Sequence, residues 1–256
     1  MDSETQGFYE AEARRYREIH SRPLLRYSSE LEQEFISPFL PSTGRTLDVG
    51  CGEGRTTRHL ANVVKGLVVG ADFSPAMVQQ ARYAADSASL FYCVADAGKL
   101  PFRENSFHVV TAMTTLNNVP DLRQAIAEAA RVLVPGGVLI ATVINSAEAA
   151  RFVRGIYFGP YYLYRWLRGN RSGMIRRIYS REQLLEAVPP RLEVLSCEGM
   201  RVVPDFLPEY PFNFWPALHP AAAWTYGLLR PLDVKLSRHP ITGRFARFHL
   251  LIARKR

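Results

Sequence analysis

Six residues near the start of the chain are of types and at spacings that could hold a nucleotide-like ligand. Gly50, Gly52 and Gly54 alternate in "TLDVGCGEGRTTRHLA", Thr46–Ala61, straight after a short apolar run and straight before a helical pattern. Glycines there permit a tight turn and let a ligand approach the main chain, with the N–H groups of a helix start behind it. Asp48 stands two positions upstream of the trio. Asp72 follows Gly50 by 22 residues, and a carboxylate at a strand end can accept two hydrogen bonds from a ribose diol. Asp96, in "YCVADAGKLPF", could accept a hydrogen bond from the exocyclic amine of a purine. The glycine spacing is G-x-G-x-G. A dinucleotide loop, G-x-G-x-x-G, would need glycine where Arg55 or Thr57 stands, which argues against a nicotinamide-dependent oxidoreductase.

The elements that must position these residues alternate in type. Strand patterns fall at Thr46–Val49, Leu67–Asp72, Leu90–Ala95, Phe107–Met113 and Val138–Ile144, with helical patterns at Thr56–Val64, Pro75–Ala85 and Leu122–Val132 between them. Ser74 before Pro75, Asp121 before Leu122 and Ser180 before "REQLLEAV" are helix starts. "VPGGVLI" reads as a turn and then a strand, and "RLEVLSCEGM" and "RFHLLIARKR" as a sixth and a seventh strand. This order predicts an α/β fold, a doubly wound parallel sheet with helices on both faces. Ligands of such sheets bind at the carboxyl ends of the strands.

Three segments stand outside the alternation: 1–44, 146–179 and 201–245. The first is helical with aromatics, including Tyr9 and Tyr16. Between Ala149 and Arg181 there are eight arginines and no acid, which accounts for the whole net charge of +8. The third contains an uncharged run, Pro211–Leu229, whose prolines 211, 216 and 220 suit a buried lid or an interfacial segment better than a membrane span. The composition, 47% hydrophobic, is enough for one large core. Three scattered cysteines offer neither a disulfide framework nor a metal site, which fits a reducing compartment and a cytoplasmic protein. The first twenty residues lack the apolar stretch of a signal peptide.

The blocks "TLDVGCGEG", "VVGADFSPAMVQQAR", "VADAGKLPFRENSFHVV" and "EAARVLVPGGVLI" come in the order and at the spacing of a known family. Over roughly residues 40–145 the chain resembles the class I S-adenosylmethionine-dependent methyltransferases, in particular the small-molecule branch with the ubiquinone/menaquinone methyltransferases. The resemblance implies a single domain, 1–256, on a seven-stranded Rossmann-like sheet with its last strand antiparallel. The core is about 40–145, and segments 1–44, 146–179 and 201–245 form a cap. It implies S-adenosylmethionine as cofactor and S-adenosylhomocysteine as product. By position, Asp48, Gly50, Gly52 and Gly54 would hold the amino-acid end, Asp72 the ribose, and Phe73 and Met77 the adenine face. Asp96 and the Ala97 backbone would read the adenine edge, and Met113 and Thr114 would lie beneath the methyl donor. Two positions depart from the quinone branch: Phe107-His108 replaces Phe-Asp, and Asn117-Asn118 replaces a histidine pair. These departures withhold support from a quinone acceptor. The "NPPY" type of motif of nucleic-acid-base methyltransferases is absent.

Methyl transfer is an in-line displacement that needs a positioned acceptor in a dry pocket, and a base only where the acceptor holds its proton at neutral pH. The candidate bases are His219 and His20, followed by His239, with Asn117 and Asn118 as substrate-facing residues at the end of strand four. His108 reads as structural. Tyr161, Trp166 and Trp215, with their aromatic neighbours, point to a small apolar or aromatic acceptor, free or lipid-linked. The arginine–tyrosine segment fits a solvated basic face or peripheral contact with an anionic membrane. A nucleic-acid methyltransferase using 151–181 and a non-catalytic cofactor-binding subunit are the rival readings.

Overall fold

The computed structural model describes residues 7, 13, 16, 18, 21–85, 87–148, 177–206 and 216–256. Seven strands form one sheet: β1 (Thr46–Val49), β2 (Val68–Asp72), β3 (Leu90–Val94), β4 (Phe107–Met113), β5 (Leu133–Ile144), β6 (Leu192–Met200) and β7 (Phe248–Lys255). Their order is β3-β2-β1-β4-β5-β7-β6. Strands β1 to β5 pair in parallel, and β7 runs antiparallel to both β5 and β6. The doubly wound sheet with an antiparallel last strand is thus the expected one.

The helices are α1 (Pro23–Ile36), α2 (Arg55–Val63), α3 (Pro75–Tyr83), α4 (Leu122–Val132), α5 (Arg181–Glu186) and α6 (His219–Arg238). Their starts follow from local chemistry. The Ser74 hydroxyl accepts from Met77 N–H with Pro75 in the first turn, and Asp121 accepts from Gln124 N–H. Ser180 and Gln183 make a reciprocal capping box. One face of the sheet packs Ile126 of α4 and Leu184 of α5 against Val110 and Leu139. The other packs Leu31 and Phe35 of α1, Leu60 of α2, Val78 of α3 and Tyr226 of α6 against Val68, Val109 and Ile140.

Most element limits match the sequence pattern within one or two residues. Strand β5 does not: it begins at Leu133, and the expected turn at Pro135–Gly137 is an irregularity within it. Phe107 pairs with Leu133 and Val109 with Val138, and Gly136 takes up the excess chain at φ +78°. The third extra segment departs further. Residues 219–229, taken as part of a lid or interfacial run, are the first half of the 20-residue helix α6. Its inner face carries polar groups. Asp233 is buried and accepts from the Tyr27 hydroxyl at 2.7 Å and from Val202 and Val203 N–H at 2.7 and 2.8 Å, tying α1, α6 and the chain after β6 together. Burial, then the Asp233 carboxylate, push the Tyr27 phenol well above its usual range. Most of the arginine–tyrosine segment lies outside the described residues.

Candidate functional site

A cleft opens at the carboxyl ends of β1, β2, β3 and β4. The turn after β1 contributes Val49, Gly50 and Gly52, and the end of β2 contributes Asp72 and Phe73. Ala95, Asp96 and Ala97 follow β3, while Met113, Thr114, Thr115, Asn118 and Val119 follow β4. Tyr16 closes one side. The space amounts to about 610 Å³ up to and including the open mouth.

The turn after β1 is fixed from both sides. Gly50 and Cys51 donate their N–H groups to Ala71 O, and Gly52 N–H donates to Asp72 Oδ2 at 2.8 Å. The other oxygen of Asp72 accepts from Ser74 N–H at 2.9 Å. Burial pushes the Asp72 carboxyl above its ordinary value, and the N–H groups of Ser74, Gly52 and Phe73 draw it partly back. Gly50 sits at φ +70°, and a Cβ there would overlap the Thr115 side chain. The Thr115 hydroxyl donates to Val49 O at 2.9 Å, so the turn after β4 is clamped onto the turn after β1. Thr114 is left-handed at φ +55°, held by its N–H donating to Thr142 Oγ1 at 2.8 Å. Asp96 accepts from Gly98 N–H at 2.8 Å.

Of the expected cofactor residues, the structure brings Gly50, Gly52, Asp72, Phe73, Asp96, Ala97, Met113 and Thr114 to this cleft. Asp48, Gly54 and Met77 are placed behind its wall. Asp48 is fully buried and accepts from the Thr57 and Thr111 hydroxyls at 2.7 and 2.8 Å, joining β1 to α2 and β4. Burial outweighs these hydrogen bonds and pushes its carboxyl up to about 6. Gly54 is the left-handed N-cap of α2, packed where a Cβ would meet the Tyr92 hydroxyl. Met77 is wholly buried in the first turn of α3.

The candidate catalytic residues fare differently. Asn117 is buried and braces backbone: its amide N donates to Arg177 O and its amide O accepts from Ile144 N–H at 3.0 Å. Both polar groups of its side chain are thereby engaged in holding the chain after β4. His219 begins α6, with Nε2 buried and unbonded, and is not part of the cleft wall. His20, Tyr161, Trp166 and Trp215 lie outside the described residues. His108 is structural, as expected, accepting from Arg45 N–H through Nδ1 at 3.1 Å. His239 is exposed beyond α6. Sequence reasoning missed Val49, Ala95, Thr115 and Val119. Thr115 had a signal only in retrospect, because a glycine at positive φ requires something packed where its Cβ would be.

The two departures from the quinone branch also change weight. His108 sits near the opposite end of β4 and Asn117 turns away from the cleft, so neither bears on the acceptor, whereas Asn118 lines the wall and keeps the second departure relevant to it.

Comparison with known proteins adds an independent finding. The family described as "Methyltransferase domain" matches residues 47–141. The ubiquinone/menaquinone biosynthesis C-methyltransferase of Desulfotalea psychrophila is 37% identical over 98 residues, 38% of this chain and 40% of that protein. The 2-phytyl-1,4-naphtoquinone methyltransferase of Thermosynechococcus vestitus is 34% identical over 131 residues, 50% of this chain and 57% of that protein. The chain thus spans about half the length of the curated relatives it matches. Among solved structures, the complex of the Haloferax volcanii Trm112 methyltransferase activator with a methyltransferase contains a chain with the same fold. Its TM-score is 0.64 at 22% identity, covering 98% of this chain and 97% of that one. Sheet order, cleft position and family match agree: residues 47–141 match a methyltransferase domain and are similar to the quinone methyltransferases, on the kind of sheet that the resemblance to the class I S-adenosylmethionine-dependent methyltransferases implies.

Proposed function

We propose that this protein transfers the methyl group of S-adenosylmethionine to a small apolar or aromatic acceptor, and that the acceptor is a quinol-type ring. The observation that carries the reading is the cleft itself. Its wall joins a glycine turn to two strand-end acids, Asp72 and Asp96, with apolar Met113, Ala97 and Val119 beside them. The residues suit the cofactor. A Cβ on Gly52 would project toward the Tyr16 ring, 3.9 Å away, so the bare backbone there leaves room for a ligand. The described ionisable groups of the wall are two carboxylates and one phenol, a negative setting for a sulfonium and an ammonium group.

S-adenosylmethionine supplies, when bound, a methyl group on a positively charged sulfur. In this reading the Gly50–Gly52 turn holds the amino-acid end, and Asp72 accepts hydrogen bonds from the ribose hydroxyls. Phe73 covers the adenine, and Asp96 with the Ala97 backbone reads its edge. Met113 and Thr114 form the floor, and the left-handed Thr114 sets the direction of the chain that faces the acceptor. Tyr16 shields the site from water. A quinol-type acceptor holds its hydroxyl proton at neutral pH, so this reading requires the ring carbon to be oriented in line with the methyl group and one proton to be given up to a base or to water. In this reading residues 1–256 act as one domain, with Tyr16 of the first extra segment against the cleft.

The test is transfer of labelled methyl from S-adenosylmethionine to a demethylated naphthoquinol, with cofactor binding measured separately. Label in the organic phase is expected. Cofactor binding without transfer to the quinol would overturn the acceptor. Label in nucleic acid or protein precipitate would put the basic 151–181 segment forward in its place.

A further inference from the structure

The inference concerns the outer face of α6, His219–Arg238. A helix on a protein surface ordinarily turns apolar residues inward and polar ones outward. Helix α6 turns apolar residues both ways: Ala222 and Tyr226 join the core, and a second apolar stripe faces outward. Its buried residues are Ala222, Tyr226, Asp233 and Ser237. Its outer face carries Trp224, Leu228 and Leu232, which are 70%, 64% and 48% exposed. Their spacing of four residues puts them on one stripe, with exposed Pro231 and Lys235 beside it. The helix keeps its place without that stripe, because Asp233 holds Tyr27, Val202 and Val203, and Arg230 pairs with Glu34 at 2.9 Å. The apolar stripe therefore has no folding task that the described residues reveal.

We propose that this face docks on an anionic lipid surface. The charges select that occupant. The sole acid of α6 is the buried Asp233, while Lys235 and Arg238 are exposed in the last turn. A second copy of the chain, paired by twofold symmetry, would bring no exposed acid of α6 to meet these cations, since that helix has none to offer. Residues 149–176, as an alternative cover from the same chain, contain six arginines and no acid, so they would add to the positive charge. An anionic bilayer satisfies both demands: tryptophan and leucine enter the headgroup boundary, and the cations meet lipid phosphates. No helix among the described residues is long and apolar enough to cross a membrane, so the contact is with the surface. The inference deepens the proposed function, since a lipid-borne acceptor would be met at that surface, yet its test does not depend on methyl transfer.

The experiment is flotation of the full chain with vesicles of phosphatidylcholine, with and without about 30 mol% phosphatidylglycerol. Binding is expected with the anionic vesicles and should weaken as salt is raised. The double variant Trp224→Ser/Leu228→Ser should lose at least about tenfold in vesicle affinity. Its thermal unfolding and S-adenosylmethionine binding should stay as in the parent. Tyr83→Ser, at an 89% exposed aromatic on α3, is the control that should bind vesicles as before. Absence of binding to anionic vesicles, or equal binding by the double variant, would overturn the proposal. So would a parent that is dimeric in solution and becomes monomeric in the double variant, which would assign the face to a second copy.

Discussion

Helices α4 and α6 make an instructive pair. Both pack on the same sheet, one on each face. Helix α4 buries Leu122, Ala125, Ile126, Ala129, Ala130 and Val132, and turns Arg123 and Gln124 outward. Helix α6 buries Ala222, Tyr226, Asp233 and Ser237, and turns Trp224 and Leu228 outward. The first is held by area removed from water, the second by a smaller apolar contact through Ala222 and Tyr226 together with hydrogen bonds to one buried carboxylate. Burial of apolar area is non-directional and tolerant, whereas a satisfied buried acid is specific and costly to disturb. Apolar pattern alone therefore orients α4 correctly and leaves α6 undecided between two faces.

Substitutions can break or sharpen this contrast. Asp233→Ala should cost the most, about 3–5 kcal/mol, because three donors on α1 and the chain after β6 lose their acceptor. Denaturant unfolding measures it, and a loss below 1 kcal/mol would mean that α6 is held by something else. Ile126→Ala on α4 should cost about 3 kcal/mol by transfer and cavity formation. The buried acid Asp48 offers a third case, read by pH. Its carboxyl is raised to about 6 in the fold, from 3.8. Between about pH 4 and 6 the unfolded chain ionises there first, so the native state binds more protons and stability falls as pH rises through the window. The loss attributable to Asp48 is on the order of 3 kcal/mol and remains in force above the window. Comparing the parent with Asp48→Asn over that range isolates it: the variant should lack this downward slope. Parallel pH profiles would remove Asp48 as its source. At the small end, Leu228→Ser should change stability by no more than about 0.5 kcal/mol, as expected where no described contact is lost.

The same contrast explains what the sequence disclosed. Strands β1 to β4 and the helices between them announce themselves through local signals: apolar runs, Ser74-Pro75, Asp121, and glycines that end a strand. The site built on them was legible to the extent that it is local. Gly50, Gly52, Asp72 and Asp96 each stand at a strand end, where topology brings them together. Asp48 and Met77 lie buried behind the wall, because position in a motif says which element a residue lies on and not which way its side chain faces. Thr115 escaped notice because its contact with Gly50 spans 65 residues and leaves no periodic trace. Asn117 looked like a substrate residue from its place at a strand end, but its amide satisfies buried backbone on two other segments. The inward side of α6 has no clear local cue, since the distant partners of Asp233 and the packing of Ala222 and Tyr226 determine it.

Calorimetric titration of S-adenosylhomocysteine into the parent protein and Asp72→Ala probes the cleft at the residue that links its glycine turn to the end of β2. The parent should bind. The variant, shown to be folded by its unfolding transition, should lose about 1–3 kcal/mol of binding free energy, the scale of a lost charge-assisted hydrogen bond. Binding of equal strength in a folded variant, or none by the parent, would contradict the assignment of this cleft to the methyl donor.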